Sequence, residues 1–236
     1  MRFFLFIFLF FSFNLFSQEN DPLIVKTADR DNQLIWVDSI YNKMSLDQKI
    51  GQLFMPMVFS KKDSTHYISS LELINKYHIG GVIFSLGSPY KQTKWLNSFQ
   101  KHSKTPLLVG MDAEWGVSMR LDSVMSFPWN MTLGAIRDTS LIRKIGFRMG
   151  VQEKRLGVHI SFSPVLDINT NPINPIIGNR SFGESKKLVA NHAIALMQGH
   201  HQAGILTSGK HFPGHGDTAN DSHKTLPILR HNKKRI

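Results

Sequence analysis

The amino-acid sequence predicts an α/β fold, a parallel (β/α)₈ TIM-type barrel of which five or six βα units are present. Two observations carry that reading. Strands alternate with helices along the chain, and strands joined through helices run parallel in one sheet. In addition, Asp112, Asp167 and the Lys210-His211 pair close three different predicted strands. A barrel gathers such residues on one face, whereas a doubly wound sheet collects ligands at one switch point, usually behind a glycine-rich phosphate turn. No GxGxxG or GxxxxGKS stretch occurs, which favours the barrel.

The elements follow in order. Ser45 caps SLDQKIGQLFM, a helix that leads into a first strand ending near Phe59. The predicted second to fifth strands are Tyr77 to Ser85, Lys104 to Asp112, Gly157 to Asp167 and Ala203 to His211. Helical spacing of apolar residues covers Tyr67 to Lys76, Thr93 to His102, Ser140 to Leu156 and Ser185 to Gln202. Residues 45–236 hold 192 positions, fewer than the roughly 250 that eight units need.

Ahead of the barrel, residues 18–44 read as a linker with a first helix, and residues 1–17 as a secretory signal peptide. Arg2 precedes an apolar run from Phe3 to Phe16, and Ser17 suits a cleavage site. That run is shorter than the roughly 20 residues that span a bilayer. The expected destination is the periplasm or the exterior, with membrane contact only through the signal. The segment holds eight of the 17 Phe, so whole-chain aromatic content overstates the mature core.

Composition narrows the chemistry. With 42% hydrophobic and 19% charged residues the chain can bury a core, and with Cys 0 it has no disulfide, thiolate ligand or cysteine nucleophile. The +11 charge, from 28 Lys+Arg against 17 Asp+Glu, raises nucleic acid as a partner. Its distribution argues against that: Arg230, Lys233, Lys234 and Arg235 crowd the last seven residues, and the rest form no basic stripe.

The densest candidate site is GKHFPGHGDTANDSH, Gly209 to His223, with Lys210, His211, His215, Asp217, Asp221 and His223 in fifteen residues. Its glycines and proline specify a shaped loop, placed where a barrel keeps its catalytic groups. Asp221 stands two residues before His223, so its carboxylate can hold one imidazole nitrogen while the other moves a proton. A metal centre fits poorly, since the chain has neither HxH nor HExxH. His200 and His201 read as a solvated helix face. VGMDAEWG with Arg120 places Asp112 to accept from sugar hydroxyls or to cap a helix. GNRSFGE, behind two Asn-Pro turns, aims Arg180 inward as a sugar ligand or a structural ion pair. Trp115 and Phe182 suit either a pyranose face or the core.

These stretches together resemble the N-terminal barrel of glycoside hydrolase family 3, in its peptidoglycan-recycling β-N-acetylhexosaminidase branch. IGGVIF, VGMDAEWG, FSPVLDIN, GNRSFGE and KHFPGHGDTANDSHKTLP arrive in the family's order between Ser45 and Leu229. The resemblance implies that Asp112, Arg120, Arg180, Lys210 and His211 bind N-acetylglucosamine. It also implies that His223, on a mobile loop and partnered by Asp221, is the acid/base of a retaining reaction in which most glycosidases use a second carboxylic acid. It implies no metal, no nucleotide, a carbohydrate substrate and no nucleic acid. The family more often has a glycine pair after the strand-3 acid, where this chain has Glu114-Trp115-Gly116, and Val117 stands where an arginine is common. The family's nucleophile is an aspartate beyond the DSH loop, and KTLPILRHNKKRI holds no Asp or Glu. The expectation is a chain without its nucleophile and inactive by itself. A non-catalytic sugar-binding barrel, a β-glucosidase and a metal-dependent hydrolase on the same fold stand as alternatives.

Overall fold

A computed structural model describes residues 29–228; the predicted signal peptide and the basic C-terminal residues lie outside them. Strands β1 (Met57–Phe59), β2 (Gly81–Ser85), β3 (Leu108–Met111), β4 (Ile160–Ser161) and β5 (Leu206–Thr207) pair in parallel in the order β1-β2-β3-β4-β5. Partners include Met57 with Ile83, Gly81 with Leu108, Gly110 with Ile160 and Ile160 with Leu206. Each strand adds beside its predecessor with no reversal. That is the progression of a barrel wall and not of a doubly wound sheet.

Seven helices are described: α1 (Arg30–Tyr41), α2 (Leu46–Gly51), α3 (Ser64–Tyr77), α4 (Pro89–His102), α5 (Asn130–Gly134), α6 (Thr139–Arg155) and α7 (Lys186–Gln202). The Ser45 cap of α2 is a full capping box: Gln48 N–H donates to Ser45 Oγ at 3.3 Å, and Ser45 N–H to Gln48 Oε1 at 3.0 Å. Ser45→Ala is therefore expected to cost about 1 kcal/mol, read as a lower urea midpoint with an unchanged slope. Helices α3 and α4 begin earlier than apolar spacing indicates. Asp63 accepts from His66 N–H, and Ser88 accepts from Lys91 N–H with Pro89 at the first turn.

The ladders are shorter than their apolar runs. Eleven residues from Gly157 read as a strand, but only Ile160–Ser161 pair as one, with a separate bridge from Val165 to Lys210. Apolar character measures burial on both faces of a parallel strand, and Ser163, Val165 and Asp167 stay buried after the pairing ends.

One core layer joins β1–β3 to α3 and α4 through Val58, Ile74, Phe84, Trp95, Phe99 and Met111. A second joins α5, α6 and α7 through Leu133, Ile142, Met149, Phe182, Val189 and Leu196. Glycines let α6 and α7 touch. A Cβ at Gly146 would stand 2.3 Å from the Leu196 carbonyl oxygen, and one at Gly199 2.2 Å from that of Arg143. Phe182 is thereby settled as core.

The expected solvated face of α7 is corrected at His200, which is fully buried. It lies four residues after Leu196, on the same inward stripe, and its Nε2 stands 3.4 Å from Oε1 of the equally buried Glu153 of α6. Ser161 Oγ of β4 donates to the same carboxylate oxygen at 3.1 Å. Burial alone pulls His200 down, but the Glu153 carboxylate outweighs it and raises its pKa above the ordinary value. His201 points the other way, partly exposed, with Nε2 3.0 Å from Thr207 Oγ1.

Candidate active site

The carboxyl ends of β3, β4 and β5 bring three acids and three cations into one network. Asp112 directly follows β3. Its Oδ1 accepts from Lys210 Nζ at 2.7 Å, and its Oδ2 from an Arg120 guanidinium N–H at 2.9 Å. Arg120 Nε also donates to the Asp112 carbonyl at 3.1 Å. Two residues on, Glu114 receives a bidentate fork from Arg180, both bonds at 2.8 Å, and Lys210 Nζ at 2.8 Å. Lys210 thus bridges two carboxylates, and Arg180 is held in the planar geometry that suits a guanidinium.

Asp167 is the third acid, 2% exposed. Its Oδ2 lies 2.6 Å from His211 Nδ1 and accepts the His211 backbone N–H at 3.2 Å, while its Oδ1 accepts the His215 N–H at 2.6 Å. A carboxylate only accepts, so His211 Nδ1 carries hydrogen. Its Nε2, 3.3 Å from an Arg180 N–H that only donates, is then the lone-pair nitrogen. Asp167 shapes the start of the KHFPGHG loop as well as orienting its histidine.

The electrostatics follow burial and pairing. Burial pushes the Glu114 carboxyl up, but hydrogen bonds and charge from Arg180 and Lys210 prevail and hold it below its ordinary value. Burial likewise opposes ionisation of Asp167, and the bonds from His211 and His215 overcome it. Arg180 is pushed above its ordinary value, first by its bonds to Glu114. Glu114 and Asp167 are fixed anions inside the wall, and their charge keeps the rim cations in place.

Exposure separates the roles. Side chains of Asp112 (25%), Arg120 (22%), Arg180 (20%), Lys210 (17%) and His211 (34%) reach solvent, while those of Glu114 and Asp167 have 0%. The five predicted sugar ligands therefore stand together on one accessible surface. The two buried acids that position them went unassigned in the sequence. Their positions are legible, Glu114 near Asp112 at the β3 terminus and Asp167 at the end of a predicted strand, but their partners are not.

The Asp221–His223 pair forms as expected but apart from this network. Asp221 Oδ1 accepts the His223 N–H at 2.8 Å and lies 2.9 Å from its Nδ1, and the His223 side chain is 76% exposed. These contacts, first the backbone one, lower the Asp221 pKa. Among the described residues no hydrogen bond or ion pair joins the pair to Asp112 or Glu114. The loop is braced from the Asn-Pro segment instead: Asn174 Nδ2 donates to the His215 carbonyl at 2.6 Å, and Asn171 Nδ2 to that of Thr218 at 3.2 Å. A cavity of about 720 Å³ opens at the other end of the sheet, lined by Ile50, Phe54, Met55, Leu73 and Tyr77. It lies at the amino ends of β1 and β2, away from the charged network and from the face where barrels do chemistry.

Known proteins share this sequence and fold. A beta-hexosaminidase A from Pseudoalteromonas piscicida is 35% identical over 178 residues, 70% of this chain and 30% of that protein. The beta-hexosaminidase LpqI of Mycobacterium tuberculosis is 34% identical over 195 residues, 79% of this chain and 48% of that one. The chain thus spans less than half the length of these relatives. The solved glycoside hydrolase family 3 β-N-acetylglucosaminidase from Paenibacillus sp. str. FPU-7 superimposes with a TM-score of 0.73 at 37% identity, over 81% of this chain and 38% of that one. The family model for the glycosyl hydrolase family 3 N terminal domain matches residues 45–236, and the chain belongs to that family.

Proposed function

We propose that the protein is an exported, retaining β-N-acetylhexosaminidase that acts on terminal N-acetylglucosamine of cell-wall-type glycans. One observation carries this reading: Asp112, Arg120, Arg180, Lys210 and His211 converge on one accessible surface at the carboxyl ends of the strands, offering fixed donors and acceptors to a ring of hydroxyls and an amide. Preorganised ion pairs suit that task because the donors need no reorganisation on binding. Asp112 retains acceptor capacity beyond its two cations, and His211 presents an imidazole edge fixed by Asp167.

His223 serves as acid/base in this proposal. With Nδ1 turned to Asp221, its Nε2 is left to give a proton to the leaving oxygen and later to take one from water. The nucleophile is a separate matter. Glu114 and Asp167 are buried under cations or backbone donors, and Asp112 is held by Lys210 and Arg120, so none of these carboxylates is free to attack a sugar carbon. Residues 224–236 hold no acid. In this reading residues 45–236 supply sugar binding and the acid/base, and the family resemblance puts the attacking carboxylate on a strand beyond the DSH loop.

The test compares the 236-residue chain with the full product of its gene. The chain is expected to bind N-acetylglucosamine in preference to glucose without hydrolysing p-nitrophenyl N-acetyl-β-glucosaminide, and the full product to hydrolyse it. Preference for glucose or glucosides would replace the assignment by a β-glucosidase. Turnover by the 236-residue chain would overturn the view of the nucleophile, and binding without turnover by the full product would leave a sugar-binding barrel.

A further inference from the structure

Helices α6 and α7 lie side by side, in contact at Gly146 and Gly199, and their outward surface carries a charge that packing does not use. On α6, Ile142, Gly146, Met149 and Glu153 face inward. Helical periodicity turns Arg143, Lys144, Arg148, Lys154 and Arg155 to the opposite side, where all five are exposed. On α7, Lys186 and Lys187 are exposed in the first turn. The expectation of no basic stripe is thereby corrected: these cations are dispersed along the chain and gathered by the helices.

Folding does not account for this charge. The two helices contain one carboxylate, Glu153, which is buried against His200. Among the described residues none of the seven cations forms an ion pair. Lys144 and Arg148 stand four apart with like charge, and Lys186 and Lys187 occupy a helix N-terminus, where the macrodipole favours anions. Both arrangements cost stability. Lys154 and Arg155, in the last turn of α6, do suit the dipole.

Apolar side chains stand among the cations: Leu141 and Phe147 of α6 and Ile194 of α7 are exposed. That mixture selects the partner. A hydrated polyanion such as a nucleic-acid backbone needs charge alone, whereas a lipid surface takes cations at its phosphates and apolar side chains just beneath them. We infer that the outward face of α6 and α7 is a docking surface for a membrane rich in anionic phospholipid, with Lys144, Arg148 and Arg155 at the phosphates and Phe147 at the headgroup boundary. This contact is separate from the predicted signal peptide and independent of the proposed function. The helices of a barrel form its outer ring while its site opens at the strand ends, so a membrane on this face leaves the charged network accessible.

The test sediments the 236-residue chain with vesicles of equal parts phosphatidylglycerol and phosphatidylcholine, and with vesicles of phosphatidylcholine alone. The ratio of the two partition coefficients cancels any insertion of the apolar residues 3–16 common to both. It is expected to exceed about 10³ at low salt and to fall steeply as salt rises. Replacing Lys144, Arg148 and Arg155 together by Gln should lower it about 100-fold, and Phe147→Ser about fivefold. Replacing Lys43, Lys76 and Lys101 by Gln removes the same charge from elsewhere and should change it less than about threefold. Gln matches Lys and Arg in helix propensity, so these variants keep the fold. A wild-type ratio near one would overturn the membrane surface whatever the variants do. A loss as large in the Lys43, Lys76 and Lys101 variant would put the binding on net charge, and a loss confined to a variant without Arg230, Lys233, Lys234 and Arg235 would put it on the last residues of the chain; either overturns it. Phe147→Ser binding as wild type does, with duplex DNA held as tightly as the vesicles, would make the face a general polyanion surface and overturn the lipid assignment.

Discussion

His223→Ala, made in the full gene product, is expected to lower kcat on a β-N-acetylglucosaminide by about 10²–10⁴-fold, with the affinity for N-acetylglucosamine nearly unchanged. The side chain stands out in solvent, bonded within its own loop to Asp221 and to nothing in the charged network, so removing it leaves the five proposed sugar ligands and their ion pairs intact. In the proposed retaining reaction the effect falls on proton transfer in both halves. A substrate with a strongly acidic leaving group needs little help in the first half, so the variant should release that group in a burst and then stall at the second half. Asp221→Asn keeps the shape of the partner but removes its charge, and an intermediate loss is expected. A variant that turns over as fast as wild type would end the assignment. A uniform slowing, independent of the leaving group, would make His223 a positioning residue.

Much of the fold is legible in the sequence. Alternation of strand and helix, and acids at strand ends, are local signals of a parallel barrel, and the five-strand order carries them out. The Gly209–His223 loop stands out because loops of glycine, proline and paired charges have few purely structural uses. What escaped depends on packing across the fold. Glu114 and Asp167 are recognisable as supporting anions only once Arg180, Lys210 and His211 are seen to converge on them from 66, 96 and 44 positions along the chain. Strand lengths escaped because burial outlasts pairing. His200 was misplaced because a histidine's hydropathy does not reveal its partner, although its spacing from Leu196 and Ala193 already set it on the inward stripe of α7.

That histidine supports the second large effect. Glu153→Ala is expected to destabilise the protein by about 3–5 kcal/mol at pH 6, because it leaves His200 without its counter-charge in a site where both side chains have 0% exposure. It also removes the acceptor that ties Ser161 of β4 to the helical layer. The cost should depend on pH with a definite sign. His200 titrates higher in the folded chain than its ordinary 6.5, so its stabilisation is complete below that value and is lost as pH rises through the folded pKa. The gap between wild type and Glu153→Ala, measured by urea unfolding from pH 5.5 to 9, should therefore narrow with increasing pH. Burial lowers His66, His159 and His201, and each alone makes stability rise with pH. Taking the difference between variants removes His66 and His159, leaving only the part of His201 that senses the charge on its neighbour His200. Glu153→Met combined with His200→Leu should recover most of the loss, since apolar groups of similar volume need no counter-charge. A gap that widens with pH, or a double variant as weak as the single one, would show that the pair is not an ion pair and that Glu153 acts on β4 through Ser161 alone.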